Sequence, residues 1–236
     1  MTVPLFREDA YQTSCSAKVT EINERGGIVL DQTVFYPNGG GQPGDSGTLT
    51  LEDSTQISIA TTLKGDGDTI IHVPSEGQLL PEPGTTVKAE INWSIRHRYM
   101  RMHSCLHLLS AVLPYPVTGG QVSDGKGRLD FDLPEATLDK EDITQKLQTL
   151  IDENHDVTFD WITDEELDAQ PDLVKTLSVK PPRGSGKVRL IKVSDVDLQP
   201  CGGTHVRNTS EIGAVRVRKI EKKGRQNRRV SLIFDE

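Results

Sequence analysis

Two short motifs constrain this chain more than anything else in it. His103-Ser104-Cys105-Leu106-His107 is an HxxxH, and Cys201-Gly202-Gly203-Thr204-His205 is a CxxxH that begins 94 residues after it ends. Together they offer three imidazoles and one thiolate, the N and S donors that zinc takes in tetrahedral geometry. If one ion takes both motifs, any fold this chain adopts brings a helix and a distant loop to the same point. The expected ligand set for one Zn2+ is His103, His107, Cys201 and His205.

Local signals support each half. Ser94 reads as an N-cap, with a helix over 95–113 stopped by Pro114. Ile95, Tyr99, Met102, Leu106, Leu109 and Leu113 recur at alternating spacings of four and three, as one apolar stripe. His103 and His107 lie one turn apart on the same side, at the margin of that stripe, shielded yet open to a cleft. By themselves two histidines are not a metal site, since a core margin also holds such pairs. The second motif tips the reading. Residues 190–193 read as a strand and 195–200 as a loop, after which Cys201 sits in a glycine-rich turn with His205 four residues on. His72, His97 and His155 have no partner at ligand spacing. Cys15 and Cys105 read as small buried residues, and three cysteines make no disulfide framework.

Further motifs follow in a definite order. Phe35-Tyr36-Pro37-Asn38-Gly39-Gly40-Gly41-Gln42-Pro43-Gly44-Asp45-Ser46-Gly47 precedes the HxxxH. Gly119-Gly120-Gln121-Val122 and Gly127-Arg128-Leu129-Asp130-Phe131-Asp132 come after it, then Pro200 to His205, Gly213 and Lys223-Gly224. Over nearly its whole length the chain resembles the freestanding alanyl-tRNA editing proteins of the AlaX type, in the longer form with a glycine-rich N-terminal barrel. It also resembles the related editing domain of alanyl-tRNA synthetase. Asn38 stands where the family pattern often has Glu, Ser104 where Thr is frequent, and Leu106 where synthetase-embedded domains often have Thr.

The resemblance implies a zinc-dependent aminoacyl-tRNA deacylase that cleaves the ester of mischarged tRNA(Ala), chiefly seryl-tRNA(Ala) and also glycyl-tRNA(Ala). It implies that Gly39, Gly40, Gly41 and Gln42 pack against the editing site and help select substrate. Gln121 and Asp130 follow the metal helix and are expected to line the pocket. Asp130 and Asp132 share one strand face, from which either can orient a ligand histidine through its second nitrogen. Thr204, between two ligands, either bonds a seryl hydroxyl or caps its own turn, and the turn is favoured. His205 is the ligand expected to be loosest. Two rivals stand beside this reading: a zinc-stabilised RNA-binding module without catalysis, and a deacylase for another mischarged tRNA.

Gly and Pro punctuate short alternating runs at 17–22, 27–30, 48–51, 57–61, 69–73 and 86–91, the pattern of a small β-barrel. Helices are expected at 139–153 and 163–170, strands at 128–133, 157–162, 188–193, 213–220 and 229–234, and a loop at 180–187 that could act as a lid. The expected class is α+β, with a barrel domain over 1–92 and a mixed editing domain over 93–236. No apolar run reaches the length of a membrane span, and the acidic N-terminus lacks a signal-peptide core, so a cytoplasmic location is expected. Charge is unevenly spread. Residues 1–92 hold 5 Lys and Arg against 13 Asp and Glu, while the rest holds 22 of each. Arg216, Arg218, Lys219, Lys222, Lys223, Arg225, Arg228 and Arg229 crowd one stretch, and Arg96, His97, Arg98 and Arg101 lead into the metal helix. Both are expected to meet tRNA phosphates, with Arg225 and Arg228 as the chief contacts.

Overall fold

Side chains that alternate between core and water dictate the N-terminal architecture. In the computed structural model, which describes residues 1–133, 138–175 and 186–235, the chain is α+β and divides into two units, Met1–His97 and Arg98–Glu236. The first unit holds strands β1 (Val3–Pro4), β2 (Ser14–Ile22), β3 (Ile28–Leu30), β4 (Gln32–Thr33), β5 (Gly47–Leu51), β6 (Gln56–Lys64), β7 (Ile70–Pro74) and β8 (Thr86–Ile91). Six of them close into a barrel in the order β2-β3-β7-β6-β5-β8, which leaves no open edge. Every second residue of β8, Val87, Ala89 and Ile91, points inward and joins Val19, Leu30, Phe35, Leu49, Ile57 and Ile59 in one core. All six coincide with the alternating runs of the sequence. The two-residue strands β1 and β4 pair in parallel and are too short to leave a pattern.

The glycine-rich segment is part of this packing. Gly39 and Gln42 exchange two backbone hydrogen bonds of 3.1 and 3.0 Å, around Gly40 and Gly41 at φ +57° and +81°. Two positive φ values in succession make a type I′ turn, which glycine adopts without strain. Gln42, expected to help select substrate, is fully buried. A Cβ on Gly44 would lie 2.0 Å from the Thr62 carbonyl oxygen, and one on Gly47 would lie 2.1 Å from that of Glu90, so backbone passes backbone there. Between these points Asp45 accepts from the Tyr36 N–H at 2.6 Å and from the Arg96 guanidinium, whose Nε is 2.9 Å away. Arg96 also donates to the carbonyls of Ala10 and Val34 at 3.0 and 2.7 Å. Arg96 is wholly buried, so it reaches no phosphate, contrary to the reading of the basic lead-in. His72 is a satisfied core histidine: Thr33 Oγ1 and the Ile28 carbonyl hold its two nitrogens, and burial lowers its pKa to about 4.

Helix α1 (Trp93–Val112) carries the HxxxH. Asn92, not Ser94, caps it: Asn92 Oδ1 accepts from the Ile95 N–H and from the Ser94 hydroxyl, which lies inside the first turn. The single apolar stripe is also corrected. From Met102 to Ser110 every side chain of α1 is buried, Cys105 and Leu108 completely, so packing surrounds this stretch. One reason is Gly127, where a Cβ would meet Met102 at 2.8 Å.

The second unit contains β9 (Val117–Ser123), β10 (Lys126–Asp132), α2 (Lys140–Asp152), β11 (Val157–Thr163), α3 (Asp164–Asp168), β12 (Lys187–Val193), β13 (Asp197–Pro200), β14 (Val215–Lys223) and β15 (Asn227–Phe234). They form a four-stranded sheet in the order β14-β15-β10-β9 and a three-stranded sheet in the order β11-β12-β13. Asp139 caps α2 by accepting from the Asp142 N–H, and α3 opens on a capping box of Thr163 and Glu166. Strands β9 and β13 were not expected. β9 contains two adjacent glycines, and β13 is the stretch read as a loop before Cys201. Residues 180–185 of the expected lid lie outside the described residues, while Lys187 already begins β12.

Candidate metal centre

The four expected ligands meet. One donor atom from each of His103, His107, Cys201 and His205 lies within 4.8 Å of the others. Cys201 Sγ is 3.5 Å from His103 Nε2 and 3.3 Å from His205 Nε2. A tetrahedron with zinc-like bonds to N and S has edges of about 3.3–3.6 Å, so this donor set and spacing fit such an ion. His205, expected to be loosest, is closely held, its ring centroid 4.3 Å from that of His103 and 4.5 Å from that of His107. The three histidines are 5–8% exposed, and Cys201 as a residue is more exposed than they are.

The outward nitrogens are held as well. His107 Nδ1 lies 3.1 Å from Asp197 Oδ2. Asp197 is buried, and it also accepts from Lys175 Nζ at 2.5 Å and from Gln199 Nε2 at 2.7 Å. With Nδ1–H donated to the carboxylate, the Nε2 lone pair of His107 faces the cluster. His205 Nδ1 lies 3.1 Å from Ser104 Oγ, which also accepts from the Val206 N–H. Arg189 fastens the ligand turn: its Nη1 donates to the Gly203 carbonyl at 2.9 Å, and the Cys201 N–H donates back to the Arg189 carbonyl.

Charge follows this geometry. Burial opposes ionisation of the Cys201 thiol, but the charge of His103 and the hydrogen bonds of His103 and His107 outweigh it and bring the pKa well below 9. Burial likewise opposes protonation of His107, yet its bonds to Asp197 and Cys201 raise it to about 9. Desolvation, and then the neighbouring His103, lower His205 to about 3, which keeps it neutral and a lone-pair donor. Asp197 ends at about 2, because His107, Lys175 and Gln199 overcome its burial. Burial alone pushes Cys105 up to about 12, so it is an inert thiol.

The other expected site residues have partners of their own. The carboxylate that orients a ligand is Asp197, not Asp130 or Asp132. Asp130 holds Arg128 and, bidentately, Arg229 on the four-stranded sheet, and exposed Gln121 accepts from Arg128 at 3.2 Å. Thr204 is fully buried within the ligand turn. Gly39, Gly40, Gly41 and Gln42 belong to the barrel unit described above. Arg225 is exposed in the turn between β14 and β15, and Arg228 lies just past it. Asp197, Gln199 and Cys201 were legible as a period-two set of polar residues running to the ligand turn, had 197–200 been read as a strand.

Residues 188–231 match the model of the threonyl and alanyl tRNA synthetase second additional domain, and residues 7–95 match that of class II (A) tRNA synthetases. The chain is 33% identical over 239 residues to the alanyl-tRNA editing protein AlaX-M of Methanosarcina mazei, covering 98% of this chain and 95% of that one. It is 32% identical over 243 residues to AlaX-M of Pyrococcus horikoshii, covering 100% and 99%. To the alanine--tRNA ligase of Sulfurisphaera tokodaii it is 34% identical over 237 residues, which span 94% of this chain but 25% of the ligase.

Proposed function

This chain belongs to the alanyl-tRNA editing proteins, and on that basis we propose that it hydrolyses the ester of mischarged tRNA(Ala), releasing free amino acid and intact tRNA. The observation that carries the reading is the convergence of three imidazoles and one thiolate on a single point. His103, His107, Cys201 and His205 would hold one Zn2+, and the bound ion would supply Lewis-acid polarisation by expanding its shell to admit the ester. The protein's own part is orientation. Asp197 fixes the His107 tautomer, Ser104 holds the His205 ring, Arg189 fixes the turn that presents Cys201, and burial keeps the three histidines out of water.

The preferred substrate is seryl-tRNA(Ala), with glycyl-tRNA(Ala) second. Serine differs from alanine by one hydroxyl, which an apolar synthesis pocket rejects by only ~100-fold. A hydrolytic site that hydrogen-bonds that hydroxyl spares the correct ester, because alanine leaves the buried partners unpaired. Arg225 and Arg228 meet the tRNA backbone.

The test is hydrolysis of seryl-, glycyl- and alanyl-tRNA(Ala) by the protein and by Cys201→Ala. The expected outcome is rapid loss of serine, survival of alanine and an inactive variant. Tight tRNA binding with no cleavage of any ester would replace the deacylase with a zinc-stabilised RNA-binding module.

A further inference from the structure

A partly exposed aromatic ring lies near the ligand turn. Phe159 is 38% exposed on β11, the edge strand of the three-stranded sheet. The register pairs Phe159 with Ile191, Trp161 with Arg189, and Ile191 with Gln199. Directly paired residues share a sheet face, so both aromatics lie on the face that carries Arg189, Gln199 and Asp197. The Arg189 guanidinium lies 4.6 Å over the centre of the Phe159 ring, and its Nη1 reaches the Cys201 and Gly203 carbonyls at 3.5 and 2.9 Å. Those contacts and one C–N bond put the ring centre less than about 10 Å from the Cys201 carbonyl oxygen. A ring that keeps this exposure with a cation on one face has apolar surface left to cover.

The occupant follows from the reaction. In an aminoacyl-tRNA the ester sits on the terminal ribose, and the terminal adenine hangs from the same sugar. An ester at the metal cluster therefore brings that adenine to within a nucleotide's reach of Cys201. Exposed aromatic rings, and arginine planes next to them, are the surfaces on which unpaired bases stack. We propose that Phe159, backed by Arg189, is the stacking platform for the terminal adenine of the tRNA. The assignment rests on the deacylase reading and adds to it the subsite that holds the base.

The test uses tRNA(Ala) with 2-aminopurine in place of the terminal adenine, a base whose fluorescence is quenched by stacking. The full-length protein quenches it on binding. Phe159→Ala abolishes the quench and raises KM for the seryl ester by about 5- to 150-fold, the loss of one base stack, with kcat and metal content unchanged. Phe159→Tyr restores both. Phe159→Leu keeps apolar bulk on the edge strand and behaves like Ala, which separates stacking from folding. Quench and KM that are unaltered in both Ala and Leu variants overturn the proposal. A Phe159-dependent quench with no hydrolysis of any ester keeps the platform and removes the deacylase reading.

Discussion

Asp197 does for His107 what Ser104 does for His205, fixing the nitrogen that faces away from the cluster. The two arrangements differ in charge. Without metal, the pair is imidazolium and carboxylate, with His107 raised to about 9 and Asp197 lowered to about 2. A raised histidine stabilises the fold fully below its unfolded value of about 6.5 and loses that contribution as pH climbs through 9. A lowered aspartate contributes fully above about 4 and fades as pH falls towards 2. The pair therefore supports the metal-free protein most strongly between about pH 4 and 6.5. An ion at His107 Nε2 needs that ring neutral, so binding at pH 7 expels a proton, and affinity climbs with pH until about 9. Calorimetry in buffers of different ionisation enthalpy should show this release. Asp197→Asn should reduce it and weaken metal binding by about 10- to 100-fold against a competing chelator. An unchanged affinity and proton count would show that Asp197 is only a structural partner of Lys175. The ligands themselves were legible, because HxxxH and CxxxH are local spacings. Asp197 and Ser104 were not, because each matters through a residue 90 or 101 positions away.

At the level of elements, the closing of the barrel and the fastening of its glycine segment come from different forces. Alternation sets the strands, which is why all six were legible. What holds residues 36–47 is the buried contact of Asp45 with Arg96, whose residues pair across 51 positions, and no period announces it. Breaking such a pair leaves a charge without its partner, at a cost of about 3–5 kcal/mol. Arg96→Met should destabilise the barrel by that amount. The chain has two tryptophans, Trp93 in the first unit and Trp161 in the second, so in a Trp161→Phe background Trp93 fluorescence during urea unfolding reports the barrel. A shift below 1 kcal/mol would mean that the Tyr36–Asp45 hydrogen bonds and the backbone bond from Asn38 to Thr62 hold the segment without Arg96. The edge of β14 shows a second arrangement that only tertiary structure reveals. Thr144 and Gln148 of α2 accept from the N–H groups of Val217 and Val215, so the helix covers what would be an open edge. β9 escaped the sequence reading for a related reason. Its glycines lower strand propensity, and it forms because β10 offers a partner, with Gly119 and Gly120 set against Asp130 and Leu129.

For the molecule as a whole, net charge is a poor guide to where a polyanion binds. Residues 1–97 carry 6 Lys and Arg against 13 Asp and Glu, and residues 98–236 carry 21 against 22. The first unit thus repels phosphate, and the second is close to neutral with its cations gathered in the last two strands. The structure divides that basic stretch in a way the sequence could not show. Arg216 pairs with Asp235, Lys219 and Lys223 with Glu221, and Arg229 with Asp130. Within α1, Arg98 pairs with Asp124, while Arg101 donates to the Ile212 carbonyl and lies over the Phe234 ring. Cations already matched to carboxylates release few counterions on meeting a nucleic acid, so they add little to a salt-dependent affinity. Arg218, Lys222 and Arg225, exposed along β14 and its turn, are expected to supply that term, with Arg228 just past the turn beside them. Reversing two of them, Arg225→Glu with Arg228→Glu, should lower tRNA affinity and reduce the slope of log K against log salt by about 2, one contact for each residue. Metal content should not change, because neither residue touches the four donors. A slope equal to that of the parent protein would move the phosphate-binding surface away from this hairpin and leave its positive charge as plain solvation of an exposed turn.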